Sequence, residues 1–160
     1  MPTIALKYFN EHKSKMNHSY GLIGKNVVIG RIYMYNESFT NQVIDHFMSP
    51  RNCGTMTDAN GEGSFGDPDC GDYLTIQIKV KDNRIEDIKF LVFGCTAAVA
   101  SSSMTTVLAK GKTLEEALFI TDQDIAKALG GLPEHKLHCS VLGASALKNA
   151  IENYRSKRNA

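Results

Sequence analysis

Two neighbouring segments in the middle of the chain alternate between apolar and polar side chains, and this pattern most restricts how the chain folds. The first segment reads YLTIQIKV, and its apolar positions are Leu74, Ile76, Ile78 and Val80. The second reads IEDIKFLVF and alternates at Ile88, Phe90 and Val92, with the polar residues KDNR between the two segments. Because successive side chains of a strand point to opposite faces, the pattern predicts an antiparallel hairpin with one buried face, ended by Gly94.

A helix and a loop are predicted before this hairpin. The segment SFTNQVIDHFMSP has a helical apolar face and a proline, Pro50, that ends the helix. The apolar positions of that face are Val43, Ile44, Phe47 and Met48. Residues 51–72 are rich in Gly, Asp, Asn and Pro and predict a long loop, which in a compact domain is usually functional.

The residues after the hairpin predict helices only. The first helix ends at Gly111, and the next begins with TLEE, in which Thr113 and Glu116 have the spacing of a capping box. A short helix is predicted over 122–129, and the last one begins near Ser140. The apolar stripe of the last helix comprises Leu147, Ala150, Ile151 and Tyr154. Strands followed by helices predict an α+β fold, a small antiparallel β-sheet with helices packed on one face.

Length and charge restrict the class of protein. The 160 residues suit one domain, 42% of them are hydrophobic, and no run of eighteen apolar residues occurs. A formal net charge of +1 gives no electrostatic reason to bind nucleic acid or a lipid surface. We therefore expect neither nucleic acid nor a membrane as a partner.

Residues 1–34 differ in composition from the rest. They carry five lysines and arginines against a single acid, Glu11. Two interpretations stay open: a basic leader of mitochondrial type, or an extension upstream of a start at Met34. The sequence therefore predicts an N-terminal extension over 1–34 and one domain over 35–158.

The four cysteines are predicted to be reduced thiols of a cytoplasmic protein rather than paired in disulfides, because a chain of this size can build a core without them. Cys70 precedes the first strand of the hairpin, Cys95 follows the second, and Cys139 lies at the start of the last helix. Because antiparallel strands bring the start of one beside the end of the other, Cys70 and Cys95 can be close in space. A helix N terminus stabilises a thiolate, which favours reactive or metal-binding roles for Cys95 and Cys139.

Asp72 and His138 are further candidate ligands beside these thiols. Thiolates with imidazole or carboxylate suit zinc or iron–sulfur chemistry. From the residue pattern alone, Asp72 is equally well a solvated loop carboxylate. A surface histidine is the default interpretation of His138 by itself, and its position next to Cys139 is what favours a ligand. No CxxC pair is present, so spacing alone gives only a weak metal signal.

Longer motifs extend the argument beyond single residues. The segments CGDYLTIQIKV, FGCTAAVASSSM and GLPEHKLHCSVLGASALKNAIENYRSKR resemble the iron–sulfur cluster assembly scaffold family of the IscU and NifU N-terminal-domain type. VIDHFMSPRN resembles the first helix of that family. The resemblance runs from about residue 36 to 158 with the motifs in order.

The resemblance implies a non-enzymatic scaffold on which a [2Fe–2S] cluster is assembled from iron and from sulfur delivered by a cysteine desulfurase, then transferred to apo-proteins. It implies cluster binding by Cys70, Cys95 and Cys139, with Asp72 and His138 as the two additional site residues. Cys139 is the candidate sulfur acceptor, since its helix position and a flanking cation favour the thiolate. Zinc is expected as a placeholder for iron, and a homodimer stays open.

The sequence departs from the family pattern in two places, near Lys136 and at Cys53. Lys136 matches a family lysine that contacts a partner, but the segment LPEHK replaces the LPPVK that an Hsp70 chaperone reads in bacterial scaffolds. Loss of the second proline reduces preorganisation and argues against that chaperone contact. Cys53 follows PRN, where the family has an aliphatic or small residue, and is interpreted as a loop-lining apolar residue rather than a ligand; an accessory thiol is the alternative.

Two other functions compete with the scaffold. In an enzyme, Cys139 would be a nucleophile with His138 as its base, but adjacent side chains at a helix start generally diverge. In a zinc protein, three thiols with aspartate or histidine would form a structural or sulfur-accepting site. Colour separates the zinc protein from the scaffold, because zinc is spectroscopically silent.

Overall fold

The computed structural model describes residues 20–22, 28–30, 39–67 and 71–160. Its strands are β1 (Tyr20–Leu22), β2 (Val28–Gly30), β3 (Gly61–Asp67), β4 (Asp72–Lys81) and β5 (Arg84–Phe93). Its α-helices are α1 (Asn41–Met48), α2 (Thr96–Ala109), α3 (Leu114–Leu118), α4 (Asp122–Ala128) and α5 (His138–Asn159), with a 3₁₀ turn at Glu134–Lys136. Most of the predicted extension over 1–34, and Cys70, lie outside the described residues.

The predicted hairpin is confirmed as β4 and β5. The two strands pair antiparallel from Tyr73 opposite Phe93 to Lys81 opposite Arg84. The two residues between them, Asp82 and Asn83, have φ of 50° and 58°. Two left-handed residues form the turn whose twist matches that of paired strands, and this explains why the polar residues KDNR close the hairpin tightly.

The interpretation of residues 51–72 as one long loop is wrong, because β3 lies within it. β3 pairs antiparallel with β4, from Gly61 opposite Ile78 to Asp67 opposite Asp72, and it completes a sheet of order β3-β4-β5. Helix α5 lies directly on this strand: a Cβ added at Gly63 would lie 2.1 Å from the backbone nitrogen of Ala150. The close approach requires glycine where a strand would normally carry an apolar side chain, so the alternating pattern is hidden.

The core lies between this sheet and α5, as predicted for helices packed on one face. It contains Leu74, Ile76, Ile78, Ile88 and Phe90 from the sheet and Ala146, Leu147, Ala150 and Ile151 from α5. The α+β fold class is therefore confirmed. Together with the antiparallel sheet order, this packing directs the start of α5 toward the end of the sheet where β4 begins.

The second face of β4 is less exposed than the alternation predicts. Thr75 is 2% exposed and Gln77 is 8% exposed. The hydroxyls of Thr75 and Ser64 are hydrogen-bonded at 2.8 Å, and the Gln77 amide donates to Glu62 at 2.7 Å. These polar side chains are buried because β3 supplies hydrogen-bonding partners for them.

Several helix predictions are confirmed and two need correction. Thr113 and Glu116 form the predicted capping box at α3. In α1, Val43 and Phe47 are buried as predicted, but Met48 is 46% exposed because it lies in the last turn. Helix α5 begins at His138 rather than near Ser140, so His138 and Cys139 both belong to its first turn. None of the helices in the described ranges is long and apolar enough to cross a membrane.

Candidate metal and sulfur site

Three chain segments converge at one end of the sheet. Asp72 is the first residue of β4, and the pairing of Tyr73 with Phe93 places the end of β5 beside it. Two residues after β5, Cys95 is the N-cap of α2. The first turn of α5 brings His138 and Cys139 to the same place. The antiparallel hairpin and two helix N termini thus bring together four side chains from three segments that are far apart in sequence.

These four residues, Asp72, Cys95, His138 and Cys139, form what we call the donor cluster. The Cys139 Sγ lies 3.6 Å from the Cys95 Sγ, 3.6 Å from the His138 Nε2 and 3.9 Å from Asp72 Oδ2. Ligand atoms of Asp72, His138 and Cys139 all lie within 4.8 Å of one another. Sulfur, nitrogen and oxygen donors this close can share one metal ion or a small cluster.

Exposure differs across the donor cluster. Cys139 is fully buried, Cys95 and Asp72 are partly buried, and His138 is exposed. The imidazole therefore lies on the solvent side of the thiols. A ligand on that side can leave and return without disturbing the core.

The pKa values of the two thiols are shifted in opposite directions. The hydrogen bond from Cys139 is the largest cause that lowers the pKa of Cys95, to about 6, and the nearby N–H of Ala98 at the start of α2 adds to it. Donating that hydrogen bond to Cys95, together with burial, raises the pKa of Cys139 above its ordinary value. Two thiols this close titrate as a pair, so the first proton leaves the pair more readily than the second.

These pKa shifts bear on one argument from the sequence. The position of Cys139 at a helix start and the charge of Lys136 were expected to favour a Cys139 thiolate. Lys136 does lower the pKa of both thiols, but the effects of burial and of the neighbouring Cys95 are larger for Cys139. The choice of Cys139 as sulfur acceptor stays a prediction.

A second correction concerns the direction of two side chains. Adjacent residues at a helix start were expected to diverge, yet the His138 Nε2 and the Cys139 Sγ are 3.6 Å apart. The 3₁₀ turn over Glu134–Lys136 runs directly into α5, so Leu137 already has helical φ and ψ of −57° and −33°. The first turn of α5 is therefore well defined, and both side chains face the end of the sheet.

Cys53 is separate from the donor cluster and has a different environment. It forms an isolated parallel bridge with Phe90 and packs among apolar side chains that include Phe47 and Val99. Burial raises the pKa of the Cys53 thiol to about 11. These contacts agree with its interpretation as a loop-lining apolar residue.

Two positions complete the comparison with the sequence prediction. Cys70 lies outside the described residues, so its part in the site stays a prediction. From the sequence, Gly94 is only the residue that ends a strand. In the structure, the carboxylate of Asp72 occupies the space beside the Cα of Gly94. The only sequence signal for this contact is that a glycine directly precedes Cys95.

Comparison with known proteins adds independent evidence. The model of the NifU-like N-terminal domain matches residues 38–160. An iron–sulfur cluster assembly scaffold protein, IscU 1 of Archaeoglobus fulgidus, is 60% identical over 119 residues, which cover 74% of this chain and 78% of that protein. IscU of Escherichia coli K12, with the same description, is 48% identical over 127 residues, covering 77% of this chain and 98% of its own.

A solved structure agrees in fold. The crystal structure of a putative iron–sulfur cluster assembly scaffold protein for the SUF system, from Fervidobacterium islandicum AW-1, superposes with a TM-score of 0.57 at 20% sequence identity. The match covers 71% of this chain and 96% of the other. At this identity the likeness shows the fold alone.

Proposed function

This chain belongs to the family of NifU-like N-terminal domains, and we propose on that premise that it is a scaffold for iron–sulfur cluster assembly. Iron and the persulfide sulfur delivered by a desulfurase are its substrates, an external electron donor reduces that sulfur to sulfide, and the assembled cluster is passed on to apo-proteins. The observation that carries the proposal is the convergence of two thiols, an imidazole and a carboxylate at one end of the sheet. Relatives described as scaffold proteins support it.

The finer assignment is a [2Fe–2S] cluster held by Cys70, Cys95 and Cys139, with Asp72 or His138 as the fourth ligand. Stable clusters are commonly held by four cysteine thiolates. Replacing one thiolate by an oxygen or nitrogen donor gives a weaker bond to iron. A cluster held in this way is exchangeable, as transfer to other proteins requires.

Sulfur delivery is proposed to take place at Cys139. A desulfurase persulfide gives its terminal sulfur to the Cys139 sulfur, a new S–S bond forms, and the desulfurase cysteine leaves as a thiolate. Only a thiolate attacks the persulfide, so Cys139 reacts after it has lost its proton. Cys139 is the proposed acceptor, and the Cys95 sulfur lies 3.6 Å from it.

Zinc binding by the same residues is part of this proposal rather than a separate function. Thiolate, imidazole and carboxylate donors also suit Zn²⁺ in tetrahedral geometry. We propose that zinc occupies the donor cluster as a placeholder for iron. The family does not favour a structural zinc protein, and family scaffolds are generally not enzymes.

Partners and location belong to the same proposal. A cysteine desulfurase and recipient apo-proteins are required by the chemistry of sulfur supply and cluster transfer. A cytoplasmic location and a scaffold domain over 35–158, preceded by an extension, are proposed as well. Lys136 is the proposed partner contact, and the altered LPEHK segment argues against an Hsp70 chaperone there.

A transfer assay tests the scaffold function. The protein is incubated anaerobically with ferrous iron, cysteine and catalytic desulfurase, and apo-ferredoxin is then added while its visible circular dichroism is followed. We expect holo-ferredoxin to form faster than in a matched reaction that contains iron and sulfide but lacks this protein. Equal rates, with zinc retained in the protein throughout, would contradict the proposal.

A further inference from the structure

The backbone at Gly94 is in direct contact with the Asp72 side chain. A Cβ added at Gly94 would lie 2.7 Å from Asp72 Oδ1, 3.3 Å from Asp72 Cγ and 2.9 Å from the Cβ of Ala98. Two of these distances are shorter than carbon atoms in folded proteins tolerate. Any side chain at position 94 therefore collides with both neighbours, the Asp72 carboxylate and Ala98.

Space, rather than backbone conformation, is what requires glycine here. Gly71 and Gly111 have φ of 102° and 82°, in the left-handed region that disfavours other residues. Gly94 lies outside that region. An alanine at position 94 is therefore compatible with the backbone and conflicts only with what packs against it.

The two neighbours can yield to different extents: α2 can shift only slightly at Ala98, whereas the carboxylate can turn away completely. Ala98 belongs to the first turn of α2, which is fixed by the hydrogen bond from the Val99 N–H to the Cys95 carbonyl at 3.1 Å. Its Cβ is rigidly attached to that backbone. The Asp72 carboxylate turns about side-chain torsions, so it can leave by a change of rotamer.

We propose that Gly94 is a positioning residue of the donor cluster, where the missing side chain leaves room for the Asp72 carboxylate to lie beside Cys139. This inference rests on the proposed function. In the structure, Asp72 Oδ2 lies 3.9 Å from the Cys139 Sγ. A methyl group at position 94 turns that carboxylate away while leaving its charge in the protein. Gly94 thereby sets whether oxygen is available as the exchangeable ligand.

A double-mutant cycle tests the inference. Wild type, Gly94→Ala, Asp72→Ala and the double variant are compared for Co²⁺ affinity, read from the cobalt–thiolate absorption, and for cluster transfer. Loss of a group that places a metal ligand typically weakens metal binding about ten- to a hundredfold. We expect Gly94→Ala to reach most of the Asp72→Ala effect, and the double variant to match Asp72→Ala alone.

Two outcomes would overturn the inference. Co²⁺ affinity and transfer of Gly94→Ala equal to wild type would show that the carboxylate does not depend on this space. Effects of the two substitutions that add in the double variant would show that position 94 acts through Ala98 and Cys95 instead. If wild type neither assembles nor transfers a cluster, the proposed function fails, while the Co²⁺ affinities still test the positioning role.

Two further variants separate positioning from stability. At Gly61 an added Cβ would lie 2.8 Å from the Ala150 carbonyl oxygen, a comparable collision, but at the far end of β3, about 20 Å along the strand from the donor cluster. Gly61→Ala should lower thermal stability and leave Co²⁺ affinity unchanged. If Gly94→Ala does not fold, the double variant Gly94→Ala/Ala98→Gly is used in its place. Removing the methyl group of Ala98 relieves the collision with α2 and retains the collision with Asp72. Co²⁺ affinity of that variant equal to wild type would overturn the inference.

Discussion

The pairing of the two thiols predicts how Cys95 reacts with an alkylating agent in the metal-free protein. The hydrogen bond from Cys139 lowers the pKa of Cys95 from an ordinary 9.0 to about 6. A group whose pKa is lowered loses its proton earlier as pH rises. The alkylation rate of Cys95 should therefore rise through pH 6 and level off above it, where an ordinary thiol is still protonated.

The size of the effect follows from two opposing factors. At pH 7 a thiol with a pKa of about 6 is about 90% ionised, against about 1% for one at 9.0. The thiolate of lower pKa is also less nucleophilic, by about 15- to 30-fold for a Brønsted coefficient of about 0.4–0.5. Cys95 should thus react about three- to sixfold faster than an ordinary cysteine at pH 7, and the clearest sign is the midpoint of the pH profile.

The assay uses chelator-treated protein and iodoacetamide from pH 5 to 10, with the modified peptides measured by mass spectrometry. Trypsin releases Cys95 in peptide 90–110 and Cys139 in peptide 137–148, each as the only cysteine of its peptide. Cys139→Ala removes the donated hydrogen bond, so the midpoint of Cys95 should move up; Cys139→Ser is the matched control that keeps a donor. A wild-type midpoint near 9, or no difference between wild type and Cys139→Ala, would refute the reasoning.

Other substitutions test separate parts of the structure. Asp72→Ala should slow cluster transfer to apo-ferredoxin about tenfold. The control Asp58→Ala removes only an exposed partner of Lys79 and should leave the transfer rate unchanged. Equal or faster transfer by Asp72→Ala would count against an oxygen ligand that promotes release. Gly63→Ala should lower the free energy of unfolding in urea by about 1–3 kcal/mol, because its Cβ would meet the backbone of α5; unchanged stability would contradict that contact. Cys53→Val should change stability by less than about 1.5 kcal/mol and retain cluster assembly, and loss of assembly would make Cys53 a ligand.

The sequence predicts those parts of the fold whose signal is local. Alternation in β4 and β5 and the capping box at Thr113 depend on neighbouring residues, and the structure confirms them. β3 was missed because Gly61 and Gly63 occupy its core-facing positions, where α5 leaves no room for side chains. That requirement comes from a helix some ninety residues later in the chain, and no local pattern reveals it.

The candidate site shows the same division. The positions of Cys95 and Cys139 at helix starts follow from local patterns, and the hairpin explains why Asp72 is close to them. The coupling between the pKa values of the two thiols does not follow, because it depends on a sulfur–sulfur distance of 3.6 Å and on burial. The role of Gly94 likewise depends on a contact between residues 22 positions apart.

Anaerobic reconstitution with ferrous iron, cysteine and catalytic desulfurase, followed by visible absorption, tests the central claim most directly. Wild type is compared with single alanine variants at Cys70, Cys95 and Cys139, and with Cys53→Ala as the control for loss of a thiol outside the donor cluster. Charge-transfer bands should develop in wild type and Cys53→Ala, and should be weak or absent in the other three variants. Bands of equal strength in all variants, or no bands in wild type with zinc still bound, would contradict the assembly of a cluster at this site.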